Sequence, residues 1–228
     1  MKVLIIDNNV MKESWGSADL KSYVLKDPKN YAFVRRGPHD DLPDSIRGFD
    51  RLILSGSLTS CFEKAPWISK LDDLIREAVE AGKPTLGVCF GHQSIVRAIG
   101  GTEYLGKSEV PEYGWTEVEV TDQSSALFEG LPNRFYSYSS HLEEVSKLPP
   151  GLKRLARSEL CGIQAYEIVG KPVYGIQFHP EKDLASAKQS IQSKLASKNS
   201  KFVLNPTKSD ALYDPKIGER IFGNFLKS

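Results

Sequence analysis

Cysteine is scarce in this chain. The three present in 228 residues, Cys61, Cys89 and Cys161, are too few and too scattered for a disulfide framework. No CxxC spacing marks a structural zinc site. No charge sign is in excess: 30 lysines and arginines stand against 29 aspartates and glutamates, so no net field draws the chain to nucleic acid or to a membrane surface. No apolar run approaches the ~20 residues of a membrane span, and the opening MKVLIID is too short and too acidic for a secretory leader. Internal repeats are missing as well. These absences lead to the expectation of a soluble, cytoplasmic protein with no metal, no cofactor, and no nucleic-acid or membrane partner. The length suits one sizeable α/β domain and is tight for two.

What is present is an alternation of strand and helix patterns. Val3 to Asp7 is a short apolar run stopped by Asn8 and Asn9, Tyr31 to Val34 a weaker strand, and Arg51 to Leu54 a third strand leading into Ser55-Gly56-Ser57. Trp67 to Ala81 carries apolar residues at helical spacing and ends at Gly82. Later, Gly114 to Thr121 alternates as a half-exposed strand, and Ile163 to Ile168 with Pro172 to Phe178 reads as a hairpin about Val169-Gly170-Lys171. Asp214 and Pro215 announce a last helix with Ile217, Ile221, Phe222 and Phe225 on one face. The Ser/Lys-rich stretch from about 183 to 209 reads as a helix plus a mobile loop with a solvated face. Successive βα units with short links predict a doubly wound, mainly parallel sheet with flanking helices and a small antiparallel addition in the C-terminal half, with the chemistry at the carboxyl ends of the strands.

The segment Lys83 to Gly100, KPTLGVCFGHQSIVRAIG, runs from an apolar strand through a tight turn into an apolar helix, with Cys89 at the apex between Gly87 and Gly91. This G-x-C-x-G elbow projects the thiol from the sheet edge toward a helix N-terminus, an environment that favours the reactive thiolate. Taken alone, the pattern also fits a small buried cysteine in an ordinary β-α turn. A second motif, His179-Pro180-Glu181, follows the strand Pro172 to Phe178. A cysteine nucleophile needs a base, and the base needs a carboxylate to hold its tautomer. Side chains two residues apart at a strand end can share a face, as His179 and Glu181 would.

GVCFGHQ at Gly87 to Gln93 with GIQFHPE at Gly175 to Glu181 resembles the class I glutamine amidotransferases, the triad-type glutaminase domains, and among them most the free-standing GMP-synthase-like members. APWI at Ala65 to Ile68, the LP at Leu131, and SSH at Ser139 to His141 add to the resemblance. It implies a flavodoxin-like fold with residues 1–228 as a single glutaminase domain and the 183–209 stretch as an insertion before the last helix. It implies that Cys89 attacks the γ-amide of L-glutamine, that His179 serves as base and then acid, and that Glu181 orients His179. A γ-glutamyl-cysteine thioester would be hydrolysed, and the ammonia passed to an acceptor on a partner synthase.

The resemblance further assigns the oxyanion hole to the backbone N–H groups of Ser57 and Phe90. Substrate contacts fall to Gly56, Gln93, His141, Leu142 and Glu143. The chain departs from the family at Gly56-Ser57-Leu58-Thr59, where a Gly-Gly-Pro or Gly-Pro-Gly run is common. A positive φ at Ser57 would cost roughly 1 kcal/mol and slow the reaction. Two other readings stay open: a free-standing γ-glutamyl peptidase or hydrolase using the same triad, and a non-catalytic regulatory module on the same fold. The SGSLTS loop also allows a phosphate cradle, although no GK[ST] follows.

Overall fold

The computed structural model describes residues 1–228. Its first half is built of parallel βα units. Strands β1 (Lys2–Asp7), β2 (Tyr31–Arg36), β3 (Arg51–Leu54) and β4 (Thr85–Val88) pair in parallel in the order β4-β3-β1-β2. β1, β3 and β4 are almost wholly apolar because both faces of the sheet are covered. On one face lie α1 (Ala18–Val24) and the last helix, α6 (Pro215–Lys227). On the other lie α2 (Pro66–Glu80) and α3 (Phe90–Gly100). Two apolar cores result, one gathering Leu20, Val24, Ile221 and Phe225 and the other Leu71, Ile75, Ile95 and Val96.

Local sequence explains the helix ends. Pro66 opens α2 at N1, where its missing N–H costs nothing, and Gly82 closes it at φ +64. Asp214 caps α6 by accepting from the Lys216 N–H at 2.9 Å.

The antiparallel part is larger than the sequence suggests. β5 (Leu105–Val120) is 16 residues long, against the eight read from Gly114 to Thr121. It pairs along its length with β6 (Arg134–Val145), across an irregularity between Lys107 and Glu112 where Pro111 interrupts the ladder. β7 (Leu152–Arg157), β8 (Ala165–Ile168) and β9 (Val173–Ile176) continue the sheet antiparallel. β9 then pairs in parallel with β4, which joins the two halves. The expected hairpin is β8–β9.

The 183–209 stretch corrects another expectation. It holds α4 (Leu184–Leu195), capped by the Asp183 carboxylate on the Ser186 N–H at 2.7 Å, and β10 (Val203–Leu204), which pairs in parallel with Tyr113–Gly114 of β5. Ala187 and Ile191 of α4 pack with Trp115 and Tyr138. The segment is therefore tied to the sheet rather than left as a loop. A short α5 (Ser209–Leu212) leads to α6. No helix is long and apolar enough to cross a membrane.

Candidate active site

β4 ends at Val88 and α3 begins at Phe90, so Cys89 alone makes the turn, at φ 51 and ψ −104. A non-glycine residue with positive φ is strained, and such strain persists only where the surroundings over-determine it. Here the flanking glycines do so. A Cβ on Gly87 would lie 2.4 Å from the Gly91 carbonyl, and one on Gly91 would lie 2.4 Å from the Leu54 oxygen. The turn can close this tightly only without side chains at 87 and 91. Cys89 is 5% exposed, and its Sγ lies 3.9 Å from the Ser140 carbonyl.

β9 carries the chain to the same edge. The His179 N–H donates to the Tyr138 carbonyl at 2.7 Å, a bridge to β6 that fixes the start of the HPE turn. His179 Nδ1 lies 2.6 Å from Glu181 Oε1, which assigns Nδ1 as the donor and leaves Nε2 for the Cys89 side. Both side chains are largely buried, at 11% and 7% exposure. Burial alone disfavours a charged imidazole. Burial is the largest single influence, but the charges of Glu181 and Cys89 and their hydrogen bonds to the ring together outweigh it, and the His179 pKa is pushed up to about 10. At neutral pH the ring therefore holds a proton that it can deliver.

The loop after β3 closes over this pair. Asn8 pins it from β1, with its N–H on Ser55 Oγ at 2.9 Å and its Nδ2 on the Ser55 carbonyl at 2.8 Å. Gly56 then passes against the catalytic candidates, and a Cβ there would stand 2.9 Å from His179 Cε1 and 3.5 Å from Cys89 Cβ. Neither Gly56 nor Ser57 takes a positive φ, so the conformational cost expected at Ser57 does not arise. Contact with His179 is what requires glycine at 56. Gly56→Ala is expected to lower kcat about 100-fold, as displacement of a reacting group by about 1 Å does, with little change in melting temperature. Unchanged kcat in that variant would show that the loop has room to yield.

The thiol opens into a cleft of about 290 Å³ lined by Ser57, Leu58, Gln93, Tyr113, Leu142 and Lys194, among others. Glu143 braces one wall, accepting from Ser60 Oγ and the Cys61 N–H, both at 2.7 Å. Gln93 lines the cleft, but its Nε2 is spent on the Glu143 carbonyl at 2.6 Å and Gln177 Oε1 at 3.1 Å. Only its Oε1 is left for a ligand. His141 belongs to the lining residues, yet its ring turns inward, with Nε2 2.8 Å from Glu112 Oε2. The His141 ring is therefore turned away from the cleft that the residue helps to line. Leu142 is half exposed on the rim, and Phe90 supplies the first N–H of α3, which has no intrahelical acceptor.

Glu112, His141 and Cys161 bring ligand-type atoms within 4.8 Å of one another. Glu112 already accepts from Ser158 Oγ and Gln164 Nε2, at 2.7 and 2.6 Å, besides pairing with His141. This hydrogen-bond network about Glu112 accounts for that cluster. Lys194 and the Glu112–His141 pair were not singled out from the sequence. Lys194 depends on how α4 packs and the Glu112–His141 pair on the β5–β6 register, neither of which a local motif encodes.

The family model for "Glutamine amidotransferase class-I" matches residues 32–198. The chain belongs to the class I glutamine amidotransferase family. Within that family it is 41% identical over 123 residues to the glutamine-hydrolyzing GMP synthase subunit of Thermococcus kodakarensis, a match covering 53% of this chain and 64% of that protein. It is 42% identical over 130 residues to the corresponding protein of Methanocaldococcus jannaschii, covering 57% and 63%. The match to its counterpart in Archaeoglobus fulgidus, 41% over 138 residues, covers 60% and 69%. The chain thus spans slightly under two thirds of the first two of these relatives. In fold it resembles a crystal structure of a glutamine amidotransferase from Thermotoga maritima, with TM-score 0.79 at 20% identity, covering 100% of this chain and 96% of that one. A glutamine amidotransferase from Methylobacillus flagellatus superposes with TM-score 0.77 at 21% identity, covering 99% and 94%. The doubly wound sheet with its antiparallel extension is the fold of this family.

Two histidines set opposite limits on stability in this member. His179, with its pKa raised above the ordinary 6.5, contributes stability that is complete below pH 6.5 and is lost as the pH rises through about 10. His92 is fully buried, its ring tilted at 40° to that of Tyr166 with the centroids 4.7 Å apart. Burial outweighs an opposing backbone hydrogen bond to Gly175 and pushes its pKa down to about 3. Its contribution is present above pH 6.5 and is lost as the pH falls toward about 3. Urea midpoints should decline on both sides, with His179→Gln flattening the alkaline limb alone and His92→Leu the acid limb alone. A decline between about pH 7 and pH 9 that survives in His179→Gln, below the range in which the buried Cys61, Cys161 and tyrosine side chains ionise on unfolding, would contradict the His179 assignment.

Proposed function

We propose that residues 1–228 act as one glutaminase unit that hydrolyses the γ-amide of L-glutamine and releases ammonia for a partner synthase. The observation that carries this reading is Cys89 held at positive φ beside the buried His179–Glu181 pair, at the floor of one cleft. Family membership and the GMP synthase relatives support it.

In this reading the Cys89 thiolate attacks the amide carbon, and the carbonyl oxygen becomes an oxyanion facing the N–H groups of Phe90 and Ser57. His179 gives its Nε2 proton to the departing nitrogen, so the C–N bond breaks as ammonia forms and a γ-glutamyl thioester remains on Cys89. Water then attacks the thioester. One proton passes to His179, the C–S bond breaks to restore the thiolate, and glutamate leaves with the second proton released to solvent. Glu181 holds Nδ1 and the charge of the ring throughout. Gly56 and the backbone of Leu142 and Glu143 frame the amino-acid portion, with Gln93 Oε1 facing it.

A synthase partner is supported by the apolar rim. Leu58 and Leu142, 73% and 50% exposed, flank the cleft mouth where an ammonia acceptor would have to dock. The test is ammonia and glutamate release from L-glutamine by the purified chain, with γ-glutamyl-p-nitroanilide run beside it. Glutamine turnover is the expected result. Silence on glutamine with turnover of the anilide would replace this reading by a γ-glutamyl hydrolase, and silence on both with a full complement of purified synthase would leave a non-catalytic module.

A further inference from the structure

Lys194 stands apart from the other lysines. It lies three residues beyond Ile191 on the face by which α4 packs, and it extends that face to the wall of the Cys89 cleft. Its Nζ sits 4.0 Å above the Tyr113 ring, and Tyr113 is itself buried in the same wall. No carboxylate pairs with it. The acidic side chain that shares the lining, Glu143, is occupied by Ser60 and Cys61. Burial is the sole cause acting on the lysine, and it pushes the ammonium pKa down, as expected for a partly desolvated cation without a counter-charge. The aromatic face holds the stem in one place but supplies only part of the lost hydration.

We propose that Lys194 determines specificity by binding the α-carboxylate of the substrate, so that the cleft takes γ-glutamyl compounds whose α-carboxylate is free. This rests on the glutaminase reading, in which the γ-amide is placed at Cys89. Glutamine then carries its one full negative charge at the opposite end, along a cleft whose lining offers one cation to receive it. The charge that is costly in the empty cleft becomes paired on binding, and the pairing is lost for any ligand whose carboxylate is capped. α4 would then contribute to the site from a segment outside the elbow and HPE motifs.

The test compares two alkylating probes of Cys89 in the wild type, Lys194→Met and Lys194→Arg. 6-Diazo-5-oxo-L-norleucine carries the α-carboxylate. It forms a thioether with loss of N2, the thiol proton passing to the diazo carbon. Iodoacetamide carries no carboxylate and loses iodide. Lys194→Met should raise the half-saturating concentration of the diazo probe about 10- to 100-fold with its maximal rate unchanged, the range for a lost hydrogen bond to a charged group. Lys194→Arg should restore most of that affinity. Iodoacetamide alkylation should be equal in all three proteins, and the KM for L-glutamine should move with the diazo probe. A wild type labelled by the diazo probe but indifferent to Lys194→Met would overturn the role of Lys194 and leave the glutaminase reading intact. So would a parallel loss of iodoacetamide reactivity, because Lys194 would then act on the thiol or the fold. Failure of the diazo probe to label the wild type at all would remove both.

Discussion

Cys89→Ser is expected to lower ammonia release from L-glutamine by about 10⁴-fold or more, while the melting temperature moves by only about a few degrees. The change in volume is small, and the backbone at 89 is held by Gly87, Gly91 and the α3 packing rather than by the sulfur. The chemistry is what fails. With its pKa pushed up to about 10, His179 is an imidazolium at neutral pH, able to pair with a thiolate and then to donate its proton. A serine hydroxyl would need a neutral base to remove its proton, and the Glu181 pairing keeps the ring from being one. Retention of activity by Cys89→Ser would show that another group attacks the amide, and neither Cys61 nor Cys161 lines the cleft.

His179→Ala should cost about 10⁴-fold in kcat, and Glu181→Gln about one to two orders of magnitude less. In the proposed mechanism the histidine moves the proton, whereas the carboxylate positions the ring and raises its pKa. Glu181→Gln should therefore also bring the alkaline limb of the rate profile to lower pH, a shift that mere loss of fold does not produce. The variant has a structural cost as well. Glu181 Oε2 is buried without a partner, so an amide NH2 placed there would be an unsatisfied donor, worth about 1–3 kcal/mol of stability. The opposite ranking, with Glu181→Gln the more damaged enzyme, would mean that the two roles are exchanged.

The parallel half of the fold was readable because its signals are local. β1, β3 and β4 are short apolar runs bounded by turn residues, and α2 and α6 have clean apolar stripes with proline at N1. The elbow around Cys89 and the HPE turn carry their geometry in a few adjacent residues. Where structure depends on distant pairing, the sequence is opaque. β6 reads RFYSYSSHLEEV, with serines and glutamates in place of a regular apolar alternation, and it is a strand because β5 lies beside it from Leu105 onward. α1 buries only Leu20 and Val24, and its Ser17 hydroxyl goes to Asp7 at 2.7 Å rather than capping the helix. The inward turn of His141 needs Glu112 from the facing strand. Lys194 reaches the cleft only because Ala187 and Ile191 anchor α4 on Trp115 and Tyr138, contacts that a Ser/Lys-rich composition conceals.

The most direct measurement is intact-mass and peptide-mass analysis of the wild type mixed with L-glutamine and quenched in acid within the first turnover. A γ-glutamyl adduct confined to the peptide that contains Cys89, absent from Cys89→Ser and cleared on further incubation as glutamate appears, is the expected result. An adduct on Cys61 or Cys161 instead, or glutamate formed with no covalent species under conditions that trap thioesters, would contradict the assignment of Cys89 as nucleophile.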